Sequence, residues 1–333
     1  MNESDVKKYA MSQNLKVLQP TNLKNGDFLK ELEDLKANLQ IVVAFRMLPK
    51  VVWQMPELGT FNLHASLLPN YRGAAPINWA IINGDSKTGA TTFFIDDKID
   101  TGEIILQETT HIADEDSAGT LHDRLMNLGA NLVLKTVQLI KENNVHTKPQ
   151  DNTKAIRPAY KIFTETCRIN WELPIQEIHN LVRGLSPYPV AWSKFVNGKE
   201  EGTLKIYKTA IEKVPHGQAV GKLVLEERTL KVAVKEGYLQ LLEIQLPGNT
   251  TETPAGLCLW SLSGQGNSDC ANRFHCIDWN LPMTSKKEKK GLSASPGTKG
   301  GKVQDKCINP EDICSRLMLT SRDIIYSMSP TGI

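Results

Sequence analysis

The 333-residue sequence has no long apolar run and no leader of the secretory type. No window approaches the roughly 20 consecutive apolar residues that a membrane-spanning helix needs. The first ten residues, MNESDVKKYA, lack the apolar core of a signal peptide. These two absences predict a cytoplasmic protein that makes no membrane contact.

Cysteine is also scarce, with six in the chain and none in a Cys-x-x-Cys pair. Cys167 stands alone in the body of the chain, and the other five follow residue 250. Zinc sites use closely spaced thiolates, and disulfide frameworks belong to oxidising compartments. The sequence therefore predicts neither a zinc site nor a disulfide framework, and we expect no metal.

Charge of neither sign dominates, since the formal net charge is only +2. Its distribution is uneven: residues 1–152 carry 15 Lys and Arg against 19 Asp and Glu, whereas residues 153–248 carry 14 against 10. A basic second region beside an acidic first one is compatible with a phosphate-backbone partner. Ordinary scatter of solvated charge explains the counts equally well.

Apolar strands and amphipathic helices alternate over the first 150 residues, which predicts a wound α/β sheet. Within this region, Pro76 can open a helix, and Ser117 can cap a long one. The predicted strands cover residues 15–18, 39–45, 60–65, 89–95 and 103–110, and a further helix is expected around residues 28–35.

Several short strands follow a linker at residues 151–158, and they surround one helix at residues 175–185. This spacing predicts a small β-barrel over residues 159–248. The expected strands are 167–171, 190–196, 204–211, 230–235 and 238–244. Residues 249–333 lose apolar periodicity and become rich in Lys, Gly and Ser, so we expect a disordered tail.

The stretch 62–69, NLHASLLP, together with Asp100, offers the groups that acyl transfer needs. Asn62 can stabilise an oxyanion, His64 can move a proton, and Asp100 can orient the imidazole. Asn62 and His64 share one face of their strand because side chains alternate along it. Each residue also has a plain structural reading: a turn or edge amide, a satisfied histidine and an ordinary turn aspartate. Ser66 lies outside a Gly-x-Ser-x-Gly elbow, so we interpret it as structural.

The segments FNLHASLLPNYRGAAP (residues 61–76) and INWAIING (77–84) resemble the folate-dependent formyltransferases. GLSPYP (184–189) and Trp192 resemble the signature of their second domain. The resemblance runs from about residue 4 to 248. It implies a Rossmann-like formyltransferase domain at residues 1–150 and an OB-like, tRNA-binding barrel at 159–248. It also implies transfer of a formyl group from 10-formyltetrahydrofolate to the α-amine of methionyl initiator tRNA, for translation initiation. We expect a monomer.

The family's motif positions assign roles to individual residues of this chain. The resemblance implies that Asn62, His64 and Asp100 form the catalytic trio. It further implies a loop at the substrate, in which Pro69 and Gly73 shape the backbone and Arg72 contacts the substrate or is simply solvated. The loop residues are Ser66, Leu67, Leu68, Pro69, Arg72 and Gly73. The implied folate-binding residues, some of which can equally be core, are Ala44, Phe45, Arg46, Met47, Leu48, Phe94, Ile95, Asp96 and Asp97.

The chain departs from the family pattern at both ends. The family has a strand, a helix and a strand before the segment that aligns with Ser4, and it has a basic loop and C-terminal residues not found here. We therefore expect an N-terminally truncated domain of reduced stability and an unrelated tail. Two alternatives stay open: a sibling formyltransferase acting on glycinamide ribonucleotide or an aminosugar nucleotide, and an inactive truncated remnant. RGAAPINWAI and GLSPYPVAW argue against the siblings.

Overall fold

The computed structural model describes residues 3–43, 47–153, 157–197, 200–226, 229–246 and 326–327. Its first part is a five-stranded sheet with helices around it. None of the helices in the described ranges is long and apolar enough to cross a bilayer. The elements of this part are α1 Asp5–Ser12, α2 Gly26–Glu33, β1 Gln40–Val43, α3 Lys50–Trp53, β2 Thr60–His64, α4 Pro76–Ile82, β3 Lys87–Phe94, β4 Ile104–His111, α5 Ala118–Lys141 and β10 Tyr326–Ser327.

The strand order of this sheet is β10-β1-β2-β3-β4, and the sheet is mixed, with one parallel pair. Strands β1 and β2 run parallel, whereas β3 is antiparallel to both β2 and β4. The β3–β4 connection spans residues 95–103, which is too short for the crossover that a parallel pair needs. The predicted α/β class is confirmed, and so are the strands in β1 to β4.

The two faces of β2 bury different groups. Phe61 and Leu63 pack into a cluster with Leu132 and Val133 of α5. Asn62 and His64 point to the other face, as the period of two predicts. There the neighbouring Val42 belongs to a separate apolar cluster with α2 and α3. The polar pair of β2 is therefore set between two apolar clusters, on the side of the sheet that α5 does not cover.

Helix α5 begins where the sequence predicts. The Ser117 side chain accepts from the Thr120 amide at 3.2 Å, and the Thr120 hydroxyl accepts from the Ser117 amide at 3.0 Å. This reciprocal pair is a capping box that satisfies free amides of the first turn. The predicted cap at Ser117 is confirmed.

The elements of the second part are α6 Ile175–Leu185, β5 Ala191–Asn197, β6 Glu200–Glu212, β7 Leu223–Glu226, β8 Thr229–Val234 and β9 Gly237–Gln245. The strands form an antiparallel sheet in the order β5-β6-β9-β8-β7, with α6 packed against it. The described residues contain no ladder that joins β5 to β7. The predicted small β domain is confirmed as an antiparallel sheet, and β7 is a strand that the sequence did not predict.

Two predicted strands are wrong. Residues 15–18 form no ladder, because the Leu15 amide instead bonds to the Ala10 carbonyl at 2.9 Å and closes the end of α1. In residues 167–171, Cys167, Ile169 and Trp171 are buried at strand spacing. Their backbone, however, forms the end of a 3₁₀ turn and a single bridge to Trp192. Alternating burial alone does not make a strand without a partner.

The predicted linker and tail differ in how far the structure describes them. Within the linker, Arg157 and the following residues run beside the loop at residues 71–74, where Gly73 bridges Ala159. Of the predicted tail, 249–333, only β10 is described, and it pairs antiparallel with β1. The prediction of disorder for the rest of the tail lies outside the described residues.

Candidate active site

A cavity of about 1000 Å³ opens beside the polar face of β2. Asn62, His64 and Asp100 all line it, so the structure brings together the three side chains that the sequence singled out. Each is at most 7% exposed. The rest of the lining comes from Val43, residues 47–50, Trp53, residues 73–78 and 95–99, with Lys24, Leu63, Ala65, Phe93 and His122.

The His64 ring lies between two acceptors. Its Nε2 is 2.8 Å from the Tyr71 carbonyl oxygen, and its Nδ1 is 3.9 Å from Asp100 Oδ2. A carbonyl only accepts, so Nε2 carries the proton in this bond and Nδ1 holds the lone pair of the neutral ring. The distance to Asp100 exceeds a hydrogen bond, and the carboxylate acts on the ring through its charge. Nδ1 can therefore receive a proton beside a carboxylate.

Asp100 is held by its backbone and by the facing loop. Its φ of +54° places it in the left-handed region, which aspartate tolerates better than most residues. Its Oδ2 accepts from the Gly73 amide at 2.9 Å. Gly102 is needed for lack of a side chain and not for its backbone conformation. A Cβ at this position would stand 1.7 Å from the Phe94 carbonyl oxygen. The turn therefore needs Gly102 for close approach of two backbone segments.

Asn62 has a polar atom without a partner. Its side chain is 3% exposed, and Oδ1 is fully buried with no hydrogen bond among the described residues. Leaving a buried polar group unpaired costs about 1–3 kcal/mol, so native structures keep few of them. The amide is therefore placed for something other than stability.

The predicted folate-binding residues divide into three groups. Met47, Leu48, Ile95, Asp96 and Asp97 line the cavity. Phe94 does not, because its side chain packs against the cluster between the sheet and α5. Ala44, Phe45 and Arg46 lie outside the described residues.

The predicted substrate loop faces the protein more than the cavity. Ser66 is fully buried, and its hydroxyl donates to the Asn70 carbonyl at 2.7 Å. Leu68 packs with Phe93.

Arg72 donates through Nε to Gln150 Oε1 at 3.0 Å and through Nη2 to Asn152 Oδ1 at 2.8 Å. Leu67 and Pro69 are half-buried outside the cavity lining, and of the whole set only Gly73 lines the cavity.

Residues that the sequence did not single out support this site. Tyr71 holds His64 through its carbonyl, and its hydroxyl donates to Asp85 at 2.7 Å. Burial, and then the hydrogen bond to Asp85, raise the pKa of the Tyr71 phenol. Arg157 of the linker also pairs with Asp85. These contacts of Tyr71 and Arg157 involve a backbone carbonyl and segments distant in sequence, so no sequence pattern predicts them. The one available signal was the position of Tyr71 within the loop motif.

Metal ligands are not clustered in the part of the chain that the structure describes: no three His, Cys, Asp or Glu side chains there stand together as a site. Cys167 is a buried free thiol of the second part, and burial raises its pKa.

Two family models match this chain, one in each part of the fold. The family model described as formyl transferase matches residues 1–137, and the one described as formyl transferase, C-terminal domain, matches residues 161–258. Methionyl-tRNA formyltransferase from Flavobacterium johnsoniae is 58% identical over 245 residues, which is 74% of this chain and 78% of that protein. The protein of the same name from Bacteroides fragilis is 53% identical over 252 residues, covering 74% and 77%.

Solved structures show the same fold at much lower identity. HypX from Aquifex aeolicus in complex with tetrahydrofolic acid superposes with a TM-score of 0.55 at 19% identity, covering 78% of this chain and 45% of that one. The sugar 3N-formyl transferase WlaRD superposes with a TM-score of 0.52 at 22% identity, covering 73% and 82%. The two structures share the architecture of the chain.

Proposed function

The chain belongs to the formyl transferase family, and on that premise we propose that it transfers a formyl group from 10-formyltetrahydrofolate to the α-amine of methionyl initiator tRNA. The observation that carries the proposal is the meeting of Asn62, His64 and Asp100 at one cavity. Relatives that are more than half identical along three quarters of the chain bear the name of this activity. The two alternative acceptors, glycinamide ribonucleotide and an aminosugar nucleotide, have no comparable support.

The folate donor supplies the formyl carbon, and the chain supplies the surroundings. A cavity of about 1000 Å³ is at the upper end of the usual size of small-molecule sites. Its lining suits a flat, partly polar ring, since apolar Met47, Leu48 and Ile95 stand beside Asp96 and Asp97. Asn62 adds a side-chain amide to the lining, and its Oδ1 has no hydrogen-bond partner among the described residues. We propose these five lining residues as the folate-binding set.

Asn62 stabilises the charge that develops when the amine attacks. Its amide group is already placed at the cavity, so donation from Nδ2 to the developing oxyanion needs no rearrangement of the protein. A preorganised donor of this kind contributes roughly 3–4 kcal/mol to lowering a barrier of acyl transfer. The rigid β2 strand, bonded on both sides by β1 and β3, keeps the amide in place.

His64 moves the proton. The attacking amine loses a proton as its bond to the formyl carbon forms, and the Nδ1 lone pair of His64 receives it. The resulting imidazolium has an acceptor at each nitrogen, the Tyr71 carbonyl at Nε2 and the Asp100 carboxylate near Nδ1. The same proton can then pass to the leaving nitrogen. This sequence transfers the formyl group directly between two bound substrates and needs no covalent enzyme intermediate.

The second part of the chain is proposed to hold the tRNA. Residues 153–248 carry an excess of positive charge, and Lys194, Lys205 and Lys208 are exposed along β5 and β6. Phosphate contacts from such side chains add affinity that falls with salt. We further propose that the chain acts as a monomer in the cytoplasm during translation initiation.

A formyl-transfer assay tests the proposal. The purified chain is given 10-formyltetrahydrofolate and methionyl initiator tRNA, with glycinamide ribonucleotide and an aminosugar nucleotide as rival acceptors, and a thermal melt is recorded in parallel. We expect transfer to the tRNA alone, and a loss of at least about 100-fold in both Asn62→Ala and His64→Ala. Transfer that survives both substitutions overturns the assigned chemistry. A cooperative melt without transfer to any acceptor identifies an inactive remnant.

A further inference from the structure

Gln150 is a buried polar residue that the chemistry above does not use. Its side chain is 8% exposed and does not line the cavity. It follows a short segment that is fixed to the start of β4, since Ile104 and Lys148 exchange hydrogen bonds at 2.9 and 2.8 Å. Its position is therefore set by the sheet, although it lies at the entrance to the linker.

The Gln150 carboxamide has its hydrogen-bonding capacity filled by two separate segments. Its Nε2 donates to the Asp100 carbonyl at 2.9 Å and to the Gly102 carbonyl at 2.8 Å. Its Oε1 accepts from Arg72 Nε at 3.0 Å and from Nη2 at 2.5 Å. Among the described residues, no backbone amide donates to either carbonyl. One side chain therefore closes the left-handed turn that carries the carboxylate.

The same side chain fixes the loop that faces this turn. Arg72, which Gln150 holds, stands between two residues that contact the catalytic groups. On one side, the Tyr71 carbonyl holds His64, and on the other, the Gly73 amide donates to Asp100 Oδ2. Gln150 thus joins the turn that carries the carboxylate to the loop that sets the positions of both catalytic groups.

We infer that Gln150 is a positioning residue for the Asp100–His64 pair, acting through the backbone of Asp100 and through Arg72. The inference rests on the proposed function for its kinetic consequence, but not for its structural one. A displacement of about 1 Å at a reacting group costs on the order of 100-fold in rate. Asp100 Oδ2 lies 3.9 Å from His64 Nδ1, so no direct hydrogen bond fixes the distance between the two side chains.

The kinetic test compares Gln150→Met and Gln150→Glu with the unchanged chain. Methionine keeps the length of the side chain and removes all four hydrogen bonds. Glutamate keeps the acceptors for Arg72 but loses the donors to Asp100 and Gly102. We expect kcat to fall about 10- to 100-fold in both, with KM for either substrate within about twofold, because neither substrate touches Gln150. An equal loss in kcat for the two variants assigns the effect to the Asp100 turn.

A control variant separates positioning from general destabilisation. Thr136 of α5 is fully buried and bonds to Thr92 Oγ1 and the Leu132 carbonyl, both at 2.8 Å. Thr136→Val removes these bonds in the same domain, on the face of the sheet that α5 covers and that Asn62 and His64 do not occupy. We expect it to lower the melting temperature while leaving kcat unchanged. If Gln150→Met lowers the melting temperature alone, as the control does, the inference is wrong.

A double-variant cycle shows whether Gln150 acts through Asp100. In the Asp100→Asn background the carboxylate is already lost, so Gln150→Met should have little further effect on kcat. Coupled residues give non-additive changes of this kind, whereas independent ones multiply. A double variant whose loss is the product of the two single losses overturns the inference.

A structural readout keeps the inference distinct from the proposed function. The Gly73 amide reports the place of the carboxylate because it donates to Asp100 Oδ2. We expect its hydrogen exchange, followed by NMR, to accelerate at least about tenfold in Gln150→Met and not in Thr136→Val. Faster exchange in a chain that transfers no formyl group means that the proposed function has failed and the positioning role stands. Unchanged exchange, together with normal kcat in Gln150→Met, overturns the positioning role alone.

Discussion

The strand residues Asn62 and His64 and the loop residues Ser66 and Arg72 lie within ten positions of one another, but their polar atoms are satisfied differently. Asn62 has a buried oxygen without a partner among the described residues, and the Nδ1 of His64 lies 3.9 Å from Asp100 Oδ2, beyond hydrogen-bond distance. In contrast, the Ser66 hydroxyl bonds to Asn70, and Arg72 bonds to Gln150 and Asn152. Both segments belong to one motif, but of these four residues only Asn62 and His64 line the cavity.

This difference in hydrogen bonding distinguishes the residues proposed to take part in the reaction from those proposed to support them. A buried group that lacks a partner lowers stability, so its retention points to a role other than stability. A group that is fully bonded within the protein has little left to offer a ligand. On this comparison we propose that Asn62 and His64 take part in the reaction and that the 66–72 loop holds those two residues in position.

The largest effect is expected for Asn62→Leu, which removes the amide and keeps the branched shape of the side chain. We expect formyl transfer to fall about 100- to 1000-fold, since the oxyanion loses its donor. The free energy of unfolding should stay level or rise, because the unpaired Oδ1 disappears. Steady-state kinetics and urea denaturation of the same preparation measure the two quantities.

A second buried asparagine provides the matched control. Asn180 of α6 is 5% exposed, and its Oδ1 accepts from Gln176 and from Arg183. We expect Asn180→Leu to behave in the opposite way, losing about 1–3 kcal/mol of stability and keeping its activity. Equal loss of stability in the two variants would break the comparison, since it would give Asn62 a structural role.

Two buried carboxylates extend the comparison to charge. Asp116 is 4% exposed and is bonded by the Arg124 guanidinium, the Ala113 amide and the Thr120 hydroxyl. Asp100 is 7% exposed, but its carboxylate accepts only from Gly73 among the described residues. The first carboxylate has its bonding capacity taken up within the protein, whereas the second keeps capacity for the imidazolium.

The hydrogen bonds to Asp116 therefore predict that the stability of the fold depends on pH. The hydrogen bond from Arg124 is the main cause that lowers the pKa of Asp116 from 3.8 to about 2. A lowered pKa stabilises the fold above pH 4, and the stabilisation is lost as pH falls towards 2. We expect Asp116→Asn to cost about 2 kcal/mol at pH 6 and roughly half of that at pH 3. Urea denaturation at the two pH values measures the gap, and a gap that does not shrink contradicts the assignment.

The fold and the trio were open to prediction for different reasons. Periodicity indicates which strands are buried, and the period of two places Asn62 and His64 on one face. The meeting of Asp100 with His64 came from the motif, because two residues 36 positions apart give no local signal. Gln150 gave none at all: its contacts are with backbone carbonyls about 50 residues away, at the edge of a segment that reads as linker. Long-range bonds to the backbone depend on the fold and not on a sequence pattern.

The smallest effect is expected for Ser66→Ala, and it tests the supporting half of the comparison. The hydroxyl donates to Asn70 at 2.7 Å within the loop that leads to Tyr71. Its loss should lower the free energy of unfolding by about 1 kcal/mol, the usual contribution of one hydrogen bond. The kcat should stay within about threefold, because the bond is made equally before and during the reaction. A large loss of kcat at unchanged stability would instead place Ser66 with Asn62 among the groups that act on the substrate, and sequence proximity would then be a better guide to function than hydrogen-bond satisfaction.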